Sequence, residues 1–275
     1  MNLTIESLLI DSIKRNGINH WTAKLLPNHY QYPSGSIRQT VVNGIAYHLD
    51  IHNWNDWEVY FHAQGHAIDK LISLCKTDDY IIDIGCNIGC VLMNMTSRIG
   101  PGGRAYGFEP NPITYKKLVS NLKLNTFPNI TVTQAALGNM EGLVEPVNIV
   151  EDNLGRSIVK VTTNNKHDVT SPIFTLDSFC DRIKLSRLNI VKIDVEGYEQ
   201  NVILGGLKTI EKFRPTLFIE ISYENLTQQD SSPFEIIKLI NQFGYSFVRA
   251  NDNMVITPEY NFDKDCHFDI ICYPN

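Results

Sequence analysis

The chain has 275 residues, 43% of them hydrophobic, so it is long enough to bury a core without help from disulfides or metal ions. Its 24 basic and 30 acidic residues leave a net charge of −6, which argues against bulk nucleic-acid binding, because such proteins carry a basic face or tail. No apolar run approaches the roughly 18 residues of a membrane span, and the N-terminus lacks the features of a signal peptide, so we expect a cytoplasmic protein.

The predicted secondary structure falls into two parts. Residues 1–65 are expected to form a small cap, with a helix over 3–15 and a β-hairpin that turns at Asn43-Gly44. From residue 66 to 275, apolar strands alternate with helices of about 10–15 residues, which is typical of a doubly wound parallel sheet. The predicted strands are 80–84, 104–108, 130–135, 189–195, 216–221, 245–249 and 267–273. The predicted helices are 67–76, 88–99, 112–125, 198–213 and 233–243.

Two segments break this alternation. Residues 138–179 contain alternating apolar and polar side chains, and we expect an inserted hairpin there. The last two strands have no helix between them, so they are expected to form an antiparallel hairpin at one edge of the sheet. The prediction is therefore one α/β domain that carries an N-terminal cap.

The first candidate ligand-binding segment is the loop D-I-G-C-N-I-G over residues 83–89, which follows the first predicted strand of the sheet. Open α/β sheets bind ligands beyond the carboxyl ends of their strands. A dinucleotide fingerprint would place glycine at positions 87 and 90, where this chain has Asn87 and Cys90. Asp83 would also repel a pyrophosphate, so the loop favours a ligand with a cationic amino group and no phosphate.

The second segment is E-P-N over residues 109–111, at the end of the next strand. Glu109 lies 24 positions after Gly85 (109 − 85), close to the roughly 20-residue offset at which an acidic residue binds a ribose. Together the two segments indicate a nucleoside with a cationic tail. S-adenosylmethionine fits this description, with its ribose on Glu109 and its amino-acid end on the 83–89 loop.

The third segment is K-I-D-V-E-G over residues 192–197. Because side chains alternate along a strand, Lys192, Asp194 and Glu196 share one face. Three charges on one face of a central strand are costly unless they have partners or leave the strand at its end. We therefore expect Asp194 and Glu196 to emerge at the carboxyl end, in the cofactor crevice.

In this order and spacing, the motifs resemble the FkbM type of S-adenosylmethionine-dependent methyltransferase over about residues 45–222. The motifs that carry the resemblance are D-I-G-C-N-I-G (83–89), F-E-P-N-P (108–112), A-A-L-G (135–138), T-L-D (175–177) and I-D-V-E-G (193–197). The resemblance implies a Rossmann-like class I methyltransferase fold with a seven-stranded sheet. It also implies methylation of a hydroxyl oxygen, commonly on a sugar, a glycan or a natural product.

The resemblance assigns roles by position. The residues expected at the cofactor are Asp83, Gly85, Cys86, Asn87, Gly89, Glu109, Pro110, Asn111, Ala136 and Asp194. The first loop would line the methionine end, Glu109 would bind the ribose, and Ala136 would lie beside the adenine. The chain departs from the family pattern at Cys86, where alanine is usual, and at His66, where an acidic or aromatic residue is common.

The chemistry requires a group that removes the proton of the hydroxyl acceptor, and Asp194, Glu196 and His66 are the candidates. Glu220 could join the two carboxylates and hold Mg²⁺, but carboxylates beside a cationic cofactor need no metal, so none is expected. The histidine pairs 48/52 and 62/66 have the spacing of a zinc helix, yet they lack the glutamate and a third ligand.

An aromatic cluster follows the predicted hairpin, and it favours a core role over a sugar-stacking wall. Its members are Trp54, Trp57, Tyr60 and Phe61.

Two other functions remain open at this point. One is an NAD-dependent oxidoreductase, which Asn87 and Cys90 disfavour, and the other is a catalytically inactive cofactor-binding partner subunit, which the carboxylates of residues 194 and 196 disfavour.

Overall fold

The computed structural model describes residues 3–18, 20–63, 65–150, 153–162 and 170–275. The α-helices are α1 (Leu3–Asn16), α2 (Trp54–Tyr60), α3 (His66–Leu74), α4 (Cys90–Ile99), α5 (Pro112–Lys123), α6 (Leu176–Arg182), α7 (Glu199–Leu204), α8 (Leu207–Phe213), α9 (Tyr223–Gln228) and α10 (Pro233–Asn241). The strands are β1 (Ile37–Val42), β2 (Ile45–Asp50), β3 (Tyr80–Ile84), β4 (Arg104–Phe108), β5 (Ile130–Thr133), β6 (Ala136–Leu137), β7 (Gly142–Val150), β8 (Asn153–Thr162), β9 (Ser171–Phe174), β10 (Ile190–Ile193), β11 (Thr216–Ser222), β12 (Tyr245–Arg249), β13 (Val255–Ile256) and β14 (His267–Pro274). Within these ranges, no helix has both the length and the apolar composition to cross a membrane.

The central sheet has the strand order β13-β12-β14-β11-β10-β3-β4-β5. Strands β5, β4, β3, β10 and β11 run parallel, whereas β14 is antiparallel to both β11 and β12. The doubly wound α/β fold and its antiparallel edge are therefore confirmed, and a two-residue strand, β13, extends that edge by one more strand. The order reverses between β3 and β10, and ligands of such sheets bind at this switch point.

The N-terminal segment packs on the face of the sheet that carries α4 and α5. The β1–β2 hairpin turns at Asn43 and Gly44, whose φ angles of 53° and 79° are those of the tight turn that the Asn-Gly pair predicts. The side chain of Asn125 pins the hairpin to the end of α5, because it bonds both backbone groups of Ala46. The buried carboxylate of Glu6 ties α1 to this hairpin through Arg38, at 2.8 and 2.9 Å.

Strands β7 and β8 pair antiparallel and belong to a second sheet, of order β6-β9-β7-β8. Strand β8 passes beside α2 and α5. The predicted 138–179 insertion also contains residues 151–152 and 163–169, which lie outside the described residues. The second sheet therefore borders the N-terminal segment on the ligand-binding side of the central sheet.

Two predicted helices differ from the observed ones because of glycines. The helix predicted over 88–99 begins at Cys90, since its N-cap Gly89 has a φ of +88°. The helix predicted over 198–213 is divided into α7 and α8 at Gly205-Gly206. A Cβ at Gly205 would lie 1.8 Å from the carbonyl oxygen of Gly138, so the chain approaches the helix too closely there for any other residue.

Candidate functional site

A cavity of about 610 Å³ lies at the carboxyl ends of β3, β4, β10 and β11. Its lining includes the loops that follow β3 and β4, together with residues of α2 and the start of α3. The turn after β10 and residues of β11 and β14 also contribute to it. The switch point of the sheet thus opens into a space with two halves, one of which carries the predicted cofactor motifs.

The loop after β3 packs directly against the turn after β10. Gly85 has a φ of +81°, and a Cβ at this position would lie 1.8 Å from the backbone oxygen of Asp194. Asn87 also adopts a positive φ, of 49°, which asparagine tolerates better than most residues. Gly85 and Asn87 line the cavity, and so does Cys86. Glycine is therefore required at 85 by both conformation and space.

The Glu109 carboxylate joins the two predicted cofactor loops. Its Oε2 accepts the backbone N–H of Asn87 at 3.0 Å, and its Oε1 accepts that of Asn111 at 2.9 Å. Burial raises the pKa of Glu109 to about 7, against the lowering effect of these two bonds. The side chain of Asn111 in turn caps α5 by accepting the N–H groups of residues 113 and 114. Glu109 is thus held rigidly at the cavity wall.

Replacing Glu109 by glutamine is expected to weaken binding of S-adenosylhomocysteine by about tenfold or more, since a hydrogen bond to a charged group contributes about 1.5–3 kcal/mol. The amide would also turn its NH₂ group toward a backbone N–H, which disturbs the loop. Calorimetric titration of the variant measures this. The exposed Glu259→Gln serves as the control, and wild-type affinity in Glu109→Gln would show that this carboxylate does not contact the nucleoside.

Lys192 is a buried cation between two carboxylates. Its ammonium lies 3.1 Å from Asp83 Oδ1 and 3.2 Å from Asp194 Oδ2, and it donates to the carbonyl oxygen of Gly85 at 3.3 Å. Burial lowers the pKa of Lys192, but the two carboxylates more than offset this, so its pKa lies above the ordinary value. Asp83 is completely buried and does not line the cavity, contrary to its expected place at the methionine end. Its structural role is to hold Lys192.

The turn after β10 is held in an uncommon backbone conformation. Glu196 has a φ of 54°, and Gly197 has a φ of 100° at a place where a Cβ would lie 2.3 Å from the backbone oxygen of Asn225. The buried Glu199 stabilises the turn, since its Oε1 accepts the N–H groups of Val195 and Gly197 at 3.0 and 3.1 Å. Burial raises the pKa of Glu199 to about 8. The turn directs residues 194–196 into the cavity, as the sequence predicts.

Three ionisable side chains line the cavity from the antiparallel edge. Glu220 of β11 is paired in register with Asp269 of β14, and His267 lies two residues before Asp269. His267 Nε2 is 2.8 Å from Glu220 Oε1, and this hydrogen bond raises the pKa of His267 to about 8. Burial, with Asp194 and Glu220 nearby, raises the pKa of Asp269 to about 7. His267 and Asp269 were not identified from the sequence, although their alternation at the start of the last strand was a visible signal.

The predicted histidines lie elsewhere. His66 is exposed at the first position of α3, and the cavity is lined by its neighbours Gly65 and Ala67. His62 is half-buried, and burial lowers its pKa to about 4. Over the residues that the structure describes, no group of three or more His, Cys, Asp or Glu side chains is arranged to hold a metal ion. Neither the histidine pairs nor the possible magnesium trio forms such a group.

The residues that were expected at the cofactor divide into two sets. Those that line the cavity are Gly85, Cys86, Asn87, Glu109, Pro110, Ala136 and Asp194. Those that lie behind the wall and support it are Asp83, Gly89 and Asn111. The lining set offers a carboxylate for hydroxyl groups and a further carboxylate for a cation, so the donor set fits a nucleoside with a cationic tail.

The chain is similar to proteins of known family over part of its length. The profile of the "Methyltransferase FkbM domain" family matches residues 83–247. The "2-O-methyltransferase NoeI" of Sinorhizobium fredii is 24% identical over 189 residues, which are 63% of this chain and 76% of that protein. The "Hexuronic acid methyltransferase AglP" of Haloferax volcanii is 24% identical over 189 residues, 65% of this chain and 73% of that protein.

A solved FkbM methyltransferase from Methylobacillus flagellatus superposes with a TM-score of 0.46 at 18% sequence identity. The match covers 78% of this chain and 50% of that one, so the chain spans about half the length of that protein.

Proposed function

The chain belongs to the FkbM methyltransferase family, and we propose that it transfers a methyl group from S-adenosylmethionine to a hydroxyl of a sugar or glycan. Family membership makes it a methyltransferase and sets aside the NAD-dependent oxidoreductase. The names of two relatives support this acceptor class. NoeI is named as a 2-O-methyltransferase, which transfers the methyl group to an oxygen, and AglP is named for a hexuronic acid, which is a sugar acid.

The observation that carries the proposal is the continuity of the cavity. Glu109, Asp194 and the α2 residues Trp54 and Glu58 all line the same 610 Å³ space. Methyl transfer from a sulfonium is an in-line displacement, so donor and acceptor must meet in one site with water excluded. We call the loops after β3 and β4 the cofactor half of the cavity, and α2 with the start of α3 the acceptor half. A single cavity with these two halves meets this requirement.

The residues of the cofactor half have separate tasks in this proposal. Glu109 accepts hydrogen bonds from the ribose hydroxyls, and Ala136 leaves room for the adenine beside it. The cofactor supplies the electrophilic methyl group. The Asp194 carboxylate, fixed by Lys192 at 3.2 Å, places negative charge near the cationic end. Glu196 adds a second carboxylate, which Asn225 orients with a hydrogen bond of 2.8 Å.

We further propose His267, which lines the cavity, as the group that removes the acceptor's proton, in place of His66, which does not line it. When Nε2–H of His267 donates to Glu220, Nδ1 carries the lone pair that can accept a proton. The arrangement of a base oriented by a carboxylate is common in enzymes that activate hydroxyl groups. Asp194 is already engaged with Lys192, so its part in this scheme is electrostatic.

The proposed base makes activity dependent on pH. His267 accepts a proton only when it is neutral, so kcat/KM should rise with pH and level off above the pKa of about 8. In Glu220→Gln the bond that raises the pKa is weakened, so the inflection should move toward the ordinary value of 6.5. Rate profiles, together with an NMR titration of His267, measure both effects, and the exposed Glu211→Gln is the control. An inflection that stays in place in Glu220→Gln would remove the pair from the mechanism.

The proposed function is tested by labelled methyl transfer. The protein is incubated with S-adenosylmethionine that carries a labelled methyl group and with a panel of glycosides and short oligosaccharides. We expect label in a sugar O-methyl group, identified by NMR of the product. Label transferred to a nitrogen or carbon acceptor instead, or to none of the sugars, would contradict the proposal.

A further inference from the structure

One exposed aromatic side chain faces the acceptor half of the cavity. Trp54, the first residue of α2, is 37% exposed and lines the cavity, whereas Trp57, Tyr60 and Phe61 are buried in the core. The sequence-based expectation of a core role thus holds for three of these aromatics, and Trp54 is the exception. Of these four aromatic residues, Trp54 is therefore the one that offers the cavity a stacking surface.

The Trp54 indole is held in place from several sides. It stacks on Trp57 with ring centroids 5.3 Å apart and an interplanar angle of 17°, and the edge of His29 packs against it at 5.5 Å. Trp57 is itself anchored by a hydrogen bond from its Nε1 to the carbonyl oxygen of Pro27 at 3.0 Å. An aromatic surface fixed in this way loses little entropy when a ligand packs on it.

A carboxylate lies beside this aromatic surface. Glu58 follows Trp54 by four positions on α2, so the two side chains lie on the same face of the helix, and both line the cavity. Burial raises the pKa of Glu58 to about 7, against the smaller lowering effect of the indole N–H of Trp54. The C–H face of a pyranose is attracted to the negative face of an aromatic ring, while its hydroxyl groups donate to a carboxylate. This pair of residues therefore suits a sugar.

The charges around the cavity discriminate between kinds of sugar. The acidic residues that line it are Glu58, Glu109, Asp194, Glu196, Glu220 and Asp269. Three basic side chains among the described residues also line it: Lys192 and His267 are each paired with a carboxylate, and Nδ1 of His29 lies 2.8 Å from the carbonyl oxygen of His52. Burial raises the pKa of Glu58, Glu109 and Asp269 to about 7, so the cavity already opposes negative charge. A further carboxylate on the acceptor would be repelled by these acidic side chains.

We propose that the acceptor is an uncharged sugar unit, whose ring packs on Trp54 and whose hydroxyl group donates to Glu58. This inference rests on the proposed function and narrows it, because it excludes a uronic acid as the preferred acceptor. It also assigns a binding role to α2, which carries none of the motifs of the family.

The test uses matched pairs of methyl glycosides that differ by one carboxylate: glucoside and glucuronide, galactoside and galacturonide, mannoside and mannuronide. Binding to the protein loaded with S-adenosylhomocysteine is measured by saturation-transfer NMR, and kcat/KM by labelled methyl transfer. In the wild type we expect the neutral member of the accepted pair to be favoured about tenfold or more, a difference of 1.4 kcal/mol.

Two variants test the residues. Trp54→Ala should weaken binding of the neutral glycoside about tenfold while the affinity for S-adenosylhomocysteine stays within about twofold. Glu58→Gln should reduce the preference for the neutral member, because it removes a charge that repels the uronide. The control is Trp21→Ala, because Trp21 is 62% exposed and lies outside the lining of the cavity.

The outcomes separate the inference from the proposed function. Preference for the uronide, or unchanged sugar binding in both α2 variants, would overturn the inference while methyl transfer to a sugar still stood. Binding of S-adenosylhomocysteine without transfer to any sugar would overturn the proposed function, and the inference with it.

Discussion

Replacing Lys192 by methionine is expected to lower the free energy of unfolding by about 3–5 kcal/mol, the usual cost of removing one partner from a buried ion pair. Methionine keeps most of the side chain's length and leaves the carboxylates without their cation. Asp83 is completely buried, and Lys192 is 2% exposed, so water cannot replace the lost interaction. The carboxyl groups would have to take up protons or distort the strand ends.

Urea denaturation measures this change. The exposed Lys208→Met is the control, and we expect it to stay within about 0.5 kcal/mol of the wild type. The double variant Lys192→Met/Asp83→Asn should recover part of the loss, because it removes the charge that was left unpaired. A loss below about 1 kcal/mol in Lys192→Met would show that the three charges are not coupled as the distances indicate.

Gly85→Ala is expected to disrupt the cofactor half of the cavity more than the addition of a methyl group at any other position of the loop after β3. The new Cβ would sit 1.8 Å from the backbone oxygen of Asp194, at a φ of +81°. The loop after β3 and the turn after β10 would have to move apart. This would displace the backbone N–H of Asn87, which binds Glu109, and also the Asp194 carboxylate. We expect the affinity for S-adenosylhomocysteine to fall by about tenfold or more.

Gly100→Ala is the matched control, because Gly100 also has a positive φ, of +67°, but nothing lies within 4 Å of its Cβ position. Alanine there carries the backbone strain alone, about 1–3 kcal/mol, and cofactor affinity should stay within about twofold of the wild type. The loss of stability in Gly85→Ala should be larger than that in Gly100→Ala by about 1–3 kcal/mol, which is the usual cost of overpacking. Equal stability losses and equal affinities in the two variants would show that the close approach to Asp194 is relaxed in solution.

Local patterns were sufficient to predict the fold and which loops meet at the carboxyl edge of the sheet. The alternation of strands and helices gives the sheet, and the loops after β3, β4 and β10 meet because the carboxyl ends of parallel strands share one edge. The same pattern placed Lys192 and Asp194 on one face. It could not show that Asp83 is buried behind them, because burial at a strand end depends on the neighbouring strands.

The remaining site residues depend on contacts between distant parts of the chain. His267 reaches Glu220 through the antiparallel register of β11 and β14, which no local pattern fixes. Trp54 lines a cavity that distant parts of the chain form together, whereas its neighbours Trp57 and Phe61 are buried in the core. His66 was a candidate base from the sequence, but it is exposed in the first turn of α3 and does not line the cavity.

The most direct test of the cavity as an S-adenosylmethionine site is a calorimetric titration of the intact chain with S-adenosylhomocysteine and, separately, with NAD. We expect S-adenosylhomocysteine to bind at a single site, with affinity reduced about tenfold or more in Glu109→Gln, and NAD to show no measurable binding. Tight binding of NAD without binding of S-adenosylhomocysteine would contradict the assignment of this cavity.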